Sequence, residues 1–269
     1  TLFRREKRQL SLTAEGEQLY MAATSAFTLL RDARTSISRQ RESSQIIMRA
    51  SPSFAVRWLG PRLSHFIAAQ PSWDFRVDAS PDPSNFEREV VDLDLRYGRG
   101  NWPGLHCEAV IYDYLMPMCS PDYLAELSQT CTSAEQLLRR ARLVDSVKTT
   151  MQWDNWLARH RIQRRSDTSA LRFDRSSMAI QQAVNGLGVV LDSTTLARDE
   201  LLDGTLVPLV PELGALRFPA YWIVSPARHQ GRHLVNVFSE WIKDEASRHQ
   251  HEITAYLAKR GIAVTDHEP

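Results

Sequence analysis

No apolar run reaches the about eighteen residues that a membrane helix needs, and no basic-then-apolar leader is visible, so neither a membrane span nor a signal peptide is expected. Cysteine is scarce. The three present, Cys107, Cys119 and Cys131, cannot all pair within one chain and form no C-x-x-C motif, which predicts reduced core thiols and a cytoplasmic setting. A redox switch is the minority alternative. Catalytic signatures are missing as well: there is no G-x-S-x-G, no G-x-x-x-x-G-K and no H-E-x-x-H, and His251-Glu252 lacks a second histidine. The eight histidines are scattered, none at ligand spacing with acids or cysteines, so no metal and no cofactor is expected. Charge of one sign is lacking too. With 33 basic residues against 32 acidic, no global basic field advertises nucleic acid, although Arg4, Arg5, Lys7 and Arg8 make a local basic tip.

What is present begins with a helical pattern over residues 13–42. Its apolar positions Leu19, Ala23, Ala26, Leu30, Ala33 and Ile37 recur at alternating steps of four and three, the spacing of a heptad seam. Thr13 is a candidate cap, Glu15 and Glu17 suit the first turn, and no proline intervenes before Pro52. About thirty residues would span roughly 45 Å. Half of the seam is alanine, so the helix is marginal alone and needs a closely packed partner. A helix packed on its own domain is one reading; a dimer seam is the better one.

Ahead of this helix, residues 1–12 read as a β-hairpin with the charged tip. After it the texture changes to short strands alternating with helices. Strands are expected at 46–50, 75–79 and 93–97, with helices at 54–70, kinked or restarted at Gly60-Pro61, and at 85–91. A glycine-rich loop, Gly98 to Gly104, leads to a strand-rich run at 108–118, and Pro121 opens a short helix. A second alternating set follows: helix 134–139, strand 142–145, helix 151–160, strand 171–173, helix 177–185, strand 189–191 and helix 195–202. Gly186 stops the fifth of these elements, and Asn185-Gly186-Leu187-Gly188 is a helix stop, since Leu191 stands where a dinucleotide loop needs glycine. Trp153 and Trp156 share a helical face and suit a core or an interface. A strand at 220–224 and an amphipathic helix at 234–246 close the fold, and the residues from 247 onward are expected as a mobile, partly helical tail. The pattern is α/β with parallel sheets and two similar lobes.

Hydroxyl-rich turns recur where strands run into helices: Ser51-Pro52-Ser53, Ser146 to Thr150, Ser176-Ser177 and Ser193 to Thr195. In open α/β sheets, ligands bind outside the carboxyl ends of strands, where helix N-termini offer free N–H groups. Any one of these hydroxyls can be no more than a cap. Taken together they suggest a cleft between lobes for a small polar or anionic molecule, in turns free of acid, with Asp145 and Asp174 just outside.

These segments together resemble a LysR-type transcriptional regulator, in the branch of the glycine-cleavage and β-lactamase regulators. LFRREKRQLSLTAEGEQLY is similar to that family's wing and linker start, and DLDLRYGRGNWPGL, residues 92–105, to the branch's D-L-x-x-R-Y-G-x-G-x-W-P-G-L. MPMCSPDYL, NGLGVVL, DGTLVPL and YWIVSPARHQGRHLVNVFSEWI follow in the family's order, so the likeness covers roughly residues 1–246. The resemblance implies a wing remnant of a winged helix-turn-helix at 1–12 and a linker, or dimerisation, helix at 13–45. It implies a two-lobe effector domain like periplasmic solute-binding proteins, lobe I being 46–114 with 215–249 and lobe II 115–214, then a C-terminal tail at 250–269. Effector contacts carried over by resemblance are Ser51, Pro52, Ser53, Phe54, Tyr97, Gly98, Arg99, Ser146, Thr149, Ser176, Ser177 and Tyr221. The family's recognition helix precedes L-F-x-R and is not in the present sequence. Arg4, Arg5, Lys7 and Arg8 are therefore expected to contact only phosphate or the minor groove. Implied partners are promoter DNA, a second or further copies of the chain in a homodimer or homotetramer, and a small polar or anionic effector. A transport-type solute-binding protein is the alternative on the same fold, and an enzyme is disfavoured by the missing catalytic set.

Overall fold

The computed structural model describes residues 1–6, 9–41, 44–163 and 171–267. Strands β1 (Phe3–Glu6) and β2 (Gln9–Leu12) pair antiparallel with Phe3 opposite Leu12, giving the expected hairpin. Lys7 and Arg8 at its tip lie outside the described residues, as do the side chains of Arg5 and Ile37. Helix α1 (Ala14–Arg41) starts where Thr13 caps it, the Gly16 N–H donating to Thr13 Oγ1 at 3.1 Å. Glycine is required there, because a Cβ would stand 2.0 Å from the Leu2 carbonyl oxygen where the hairpin lies on the helix. Leu19, Ala26, Leu30 and Ala33 are exposed and Ala23 is half-buried, so the seam is largely open to solvent within one chain. Tyr20 and Phe27, both exposed, widen the same face.

Strand β3 (Gln45–Ala50) leads into α2 (Pro52–Phe54), a π turn at Ala55–Leu59 and α3 (Gly60–Ala69). The restart expected at Gly60-Pro61 takes this form. Proline has no N–H to give the preceding turn, and the widened π turn absorbs the break. Strands β4 (Asp74–Ala79) and β5 (Leu93–Tyr97) flank β3, both parallel to it. The helix expected between them does not form. A single turn stands there instead, with the Glu89 N–H on the Asn85 carbonyl. Its two buried apolar residues, Phe86 and Val91, are five apart, a spacing that shares no helix face, and Arg49 and the Asn85 N–H hold the Glu89 carboxylate.

Strand β6 (His106–Cys119) is the long crossing strand. After it come α4 (Pro121–Ser128), α5 (Ala134–Arg140), β7 (Leu143–Ser146), α6 (Trp153–Arg159), β8 (Leu171–Phe173), α7 (Ser176–Val184) and β9 (Val189–Ser193). Next are α8 (Arg198–Asp203), β10 (Val207–Pro208), β11 (Ala215–Ser225), α9 (His233–Lys259) and β12 (Val264–Asp266). Helix α8 starts later than expected because Thr195 turns its N–H and hydroxyl onto the buried Asp113 carboxylate. The sheet runs β4-β3-β5-β11-β6-β9-β7-β8, with β10 on β6 and β12 on β11. Two parallel sets are thus joined through antiparallel β11 and β6. The stretch of β6 from His106 to Leu115 pairs with β11, and that from Leu115 to Met118 pairs with β9. This is the mixed α/β, two-lobe architecture of periplasmic-binding-protein type.

Trp153 and Trp156 are core residues, their rings edge to face at 5.8 Å, and Trp153 Nε1 donates to the Val144 carbonyl. All three cysteines are free, Cys119 and Cys131 buried. Gly186, at φ +75°, follows α7 as the expected helix stop. The mobile tail is the second correction. Helix α9 continues to Lys259 with His249, Ile253, Tyr256 and Leu257 buried at steps of four, three and one, a core-facing stripe that pins it. Strand β12 then lies parallel on β11 with Ala215 opposite Val264, covering an edge of β11 that β5 leaves unpaired.

Candidate functional site

The carboxyl ends of β3, β5, β7 and β9 converge on a cavity of about 380 Å³ between the two sets of strands. Ser51, at the end of β3, accepts the Tyr97 N–H at 3.2 Å and so ties β3 to β5, and Pro52 opens α2 behind it. Ser53 reaches the other side: its Oγ accepts the Ser177 N–H at 3.1 Å, at the first turn of α7, and bonds the Ser177 hydroxyl at 3.3 Å. Phe54 stacks on Tyr221, ring centroids 4.3 Å apart, and Tyr97 packs at 5.4 Å from Tyr221, forming an aromatic wall. Tyr97 is a second bridge, because its hydroxyl accepts the Thr150 N–H at 3.1 Å. Burial raises the pKa of both tyrosines, so neither ionises.

Of the expected contact residues, Ser51, Pro52, Ser53, Phe54, Tyr97, Thr149, Ser176 and Tyr221 line the cavity. Four stand off its lining. Ser146 turns inward and donates its hydroxyl to Asp192, and Ser177 sits behind Ser53. Gly98 and Arg99 belong to the glycine-rich loop, where the Gly98 carbonyl accepts Trp222 Nε1 at 2.8 Å, and Arg99 is exposed.

The charged lining was not foreseen. Arg96, Lys148 and Arg175 face the cavity together with Asp82, Asp174 and Asp192, so the expectation of an acid-free cleft is corrected. Arg96 spends its guanidinium on the Pro81 carbonyl at 2.8 Å and on Asp94 at 3.5 Å. Arg175 pairs with Asp174 at 2.5 Å. Asp192 is fully buried at the end of β9, accepting from Ser146 and from the Ser193 N–H at 2.7 Å, and burial pushes its pKa up to about 6. Its signal in the sequence is an acid closing the buried strand VVLDS, and Arg96 is the same kind of signal in LDLRY. Among the described residues no cluster of three or more His, Cys, Asp or Glu is placed to hold a metal ion. No described helix is long and apolar enough to cross a membrane.

Residues 39–247 match the family model described as the LysR substrate binding domain. The chain is 35% identical over 246 residues to the HTH-type transcriptional regulator PerR of Escherichia coli K12, covering 91% of this chain and 80% of that one. It is 30% identical over 250 residues to the glycine cleavage system transcriptional activator of the same strain, covering 93% and 80%. In fold it is similar to the effector domain of AmpR of Pseudomonas aeruginosa, with a TM-score of 0.65 at 22% identity over 77% of this chain and 98% of that one. A structure of CrgA of Neisseria meningitidis covers 91% of this chain and 84% of its own, with a TM-score of 0.60 at 20% identity. A family match over most of the sequence, relatives at this identity and a two-lobe effector fold agree: the chain belongs to the LysR-type transcriptional regulators.

Proposed function

We propose that the chain acts in the cytoplasm as a subunit of a homodimer, or of a dimer of dimers, that sits on promoter DNA and binds a small molecule between its lobes. The observation that carries this is the cavity itself: polar turns from both lobes meet there, backed by an aromatic wall, and the described lining contains no histidine or cysteine. The small molecule is bound and released, not converted. The open stripe of α1 supports the dimer, since an exposed apolar face of this length needs a partner. Arg4 on β1, with the nearby basic residues Arg5, Lys7 and Arg8 of the sequence, supplies phosphate contacts, which position the protein without reading sequence. Base reading belongs to the winged helix-turn-helix that the family carries ahead of the wing. A transport role on this fold is disfavoured, because the relatives at 30% identity and above are regulators by name and α1 would have no task in a monomer.

Hydrogen exchange tests the placement of the ligand. A metabolite that raises the melting temperature by mass action should slow exchange in the turns after β3 and β7 and at the start of α7. Slowing confined to other segments would refute the cleft.

A further inference from the structure

Around the cavity most charges are already spent within the protein. Arg96 is held by Asp94 and a carbonyl, Arg175 by Asp174, and Asp192 holds the Ser146 hydroxyl. Two are not. Asp82, in the loop after β4, and Lys148, in the loop after β7, line the same cavity from opposite lobes, and among the described residues neither side chain has an ion-pair or hydrogen-bond partner. The backbone of Asp82 is nonetheless fixed, its N–H donating to Ser80 Oγ at 3.2 Å. Lys148 is followed by Thr149, whose hydroxyl is anchored on the Ser146 carbonyl at 3.0 Å. Each free charge therefore springs from a braced turn.

Resting on the cleft reading above, we propose that the ligand is a small zwitterion of the amino-acid or dipeptide class. Its ammonium faces Asp82 in lobe I and its carboxylate faces Lys148 in lobe II. The sign of the lining requires both charges. A simple anion would satisfy Lys148 but bring a like charge to Asp82 and toward Asp192, and a simple cation would do the reverse. A zwitterion satisfies both lips, and, with three acids and three bases around it, adds no net charge to the site. The wall of Phe54, Tyr97 and Tyr221, with Leu196, is left for an apolar side chain. A cavity of about 380 Å³ is of a size for such a molecule. Opposite charges on opposite lobes also make the ligand a tie between them.

The test is calorimetry and thermal shift on the whole chain, using the twenty standard amino acids, their D-forms and dialanine. Each is paired with its deaminated acid and its decarboxylated amine. At least one zwitterion should bind, with its acid and amine analogues tenfold or more weaker. Asp82→Asn and Lys148→Met should each weaken that zwitterion tenfold or more; both side chains are solvent-exposed, and circular dichroism will verify that the variants fold. If the deaminated acid binds as tightly and Asp82→Asn is silent, the ligand is an anion: the zwitterion falls while the cleft stands. If no member of the panel binds, the zwitterion class is overturned. If binding is tight but exchange slows away from the cavity, the cleft reading itself fails.

Discussion

Leu30→Asp should break the dimer, and the structure gives the size of the effect. Leu30 is 66% exposed in one chain, Phe27 71% and Leu19 51%, and at 3.6 residues per turn they share one face of α1. Burying a leucine completely is worth about 1.5–3 kcal/mol, so removing two-thirds of that from each of two subunits costs about 2–4 kcal/mol. Placing a carboxylate from each subunit in the same dry seam adds about 1–3 kcal/mol more. Together the loss is about 3–7 kcal/mol, a rise in the dimer dissociation constant of at least a hundredfold. Sedimentation velocity over a concentration series reads this directly. Met21→Asp is the control: Met21 is equally exposed but nine residues from Leu30, about half a turn round the helix, and should leave the dimer intact. Unchanged sedimentation for Leu30→Asp, or equal loss for Met21→Asp, would refute the placement of the seam.

Two further outcomes follow from buried groups. Asp192 titrates near 6 in the folded protein against an ordinary 3.8, so the unfolded chain gives up this proton at lower pH and folding is penalised as pH rises through that window. The penalty is absent below about 3.8 and complete above about 6, near 3 kcal/mol. Urea unfolding of Asp192→Asn should therefore show less loss of stability between pH 4 and pH 7 than the parent, and identical profiles would sink the assignment. Deleting residues 260–269 removes the buried Ile262 and the bonds of β12, including the Ala215 N–H to the Ala263 carbonyl and the His267 N–H to the Arg217 carbonyl. After the entropy of ordering the strap is set against these, a net loss of about 2 kcal/mol, or about 4–8 °C in melting temperature, is expected. Exchange at Ala215 to Arg217 should accelerate; protection there that survives the deletion would refute the role of β12 as the cover of that edge.

The sheet was legible because its strands are short apolar runs bounded by turn chemistry, as in QIIMRA and VVLDS. The helix at 85–91 was misread because EREVV looks helical by propensity, whereas Phe86 and Val91 must both be buried from five residues apart. The end of α9 was missed for the opposite reason. SRHQHE is polar in composition, yet His249, Ile253 and Tyr256 keep the spacing begun at Ile242 and Ala246, and a polar residue on that stripe is buried against Thr195 of the facing lobe. At the cleft, hydroxyl turns were the guide and eight of the twelve expected residues line the cavity. Strand-end charges were passed over, because composition alone cannot separate an Asp that caps from one that faces a cavity.

Among the described residues the lobes are already joined by direct links that use no third group, among them Ser53 to Ser177, Tyr97 to Thr150, and Arg57, whose Nε donates to the Leu196 carbonyl at 2.6 Å while its guanidinium meets Glu200. The extended α9 adds more, since Glu252 pairs with Arg198 at 2.7 Å and His249 Nε2 bonds Thr195 Oγ1 at 3.2 Å. A ligand that takes the Ser177 N–H from Ser53 exchanges one acceptor for another, which by itself moves nothing. It shifts the lobes only by the difference between its contacts in the two arrangements, and on the proposed reading contacts to Asp82 and Lys148 are where that difference is expected, because these two lining charges have no partner among the described residues. β6 passes unbroken from one set of strands to the other, so a ligand-driven motion that keeps these ladders is expected to be a twist about β6 and β11. The strap β12, outside the matched family region, lies on β11, so its removal is expected to loosen that twist.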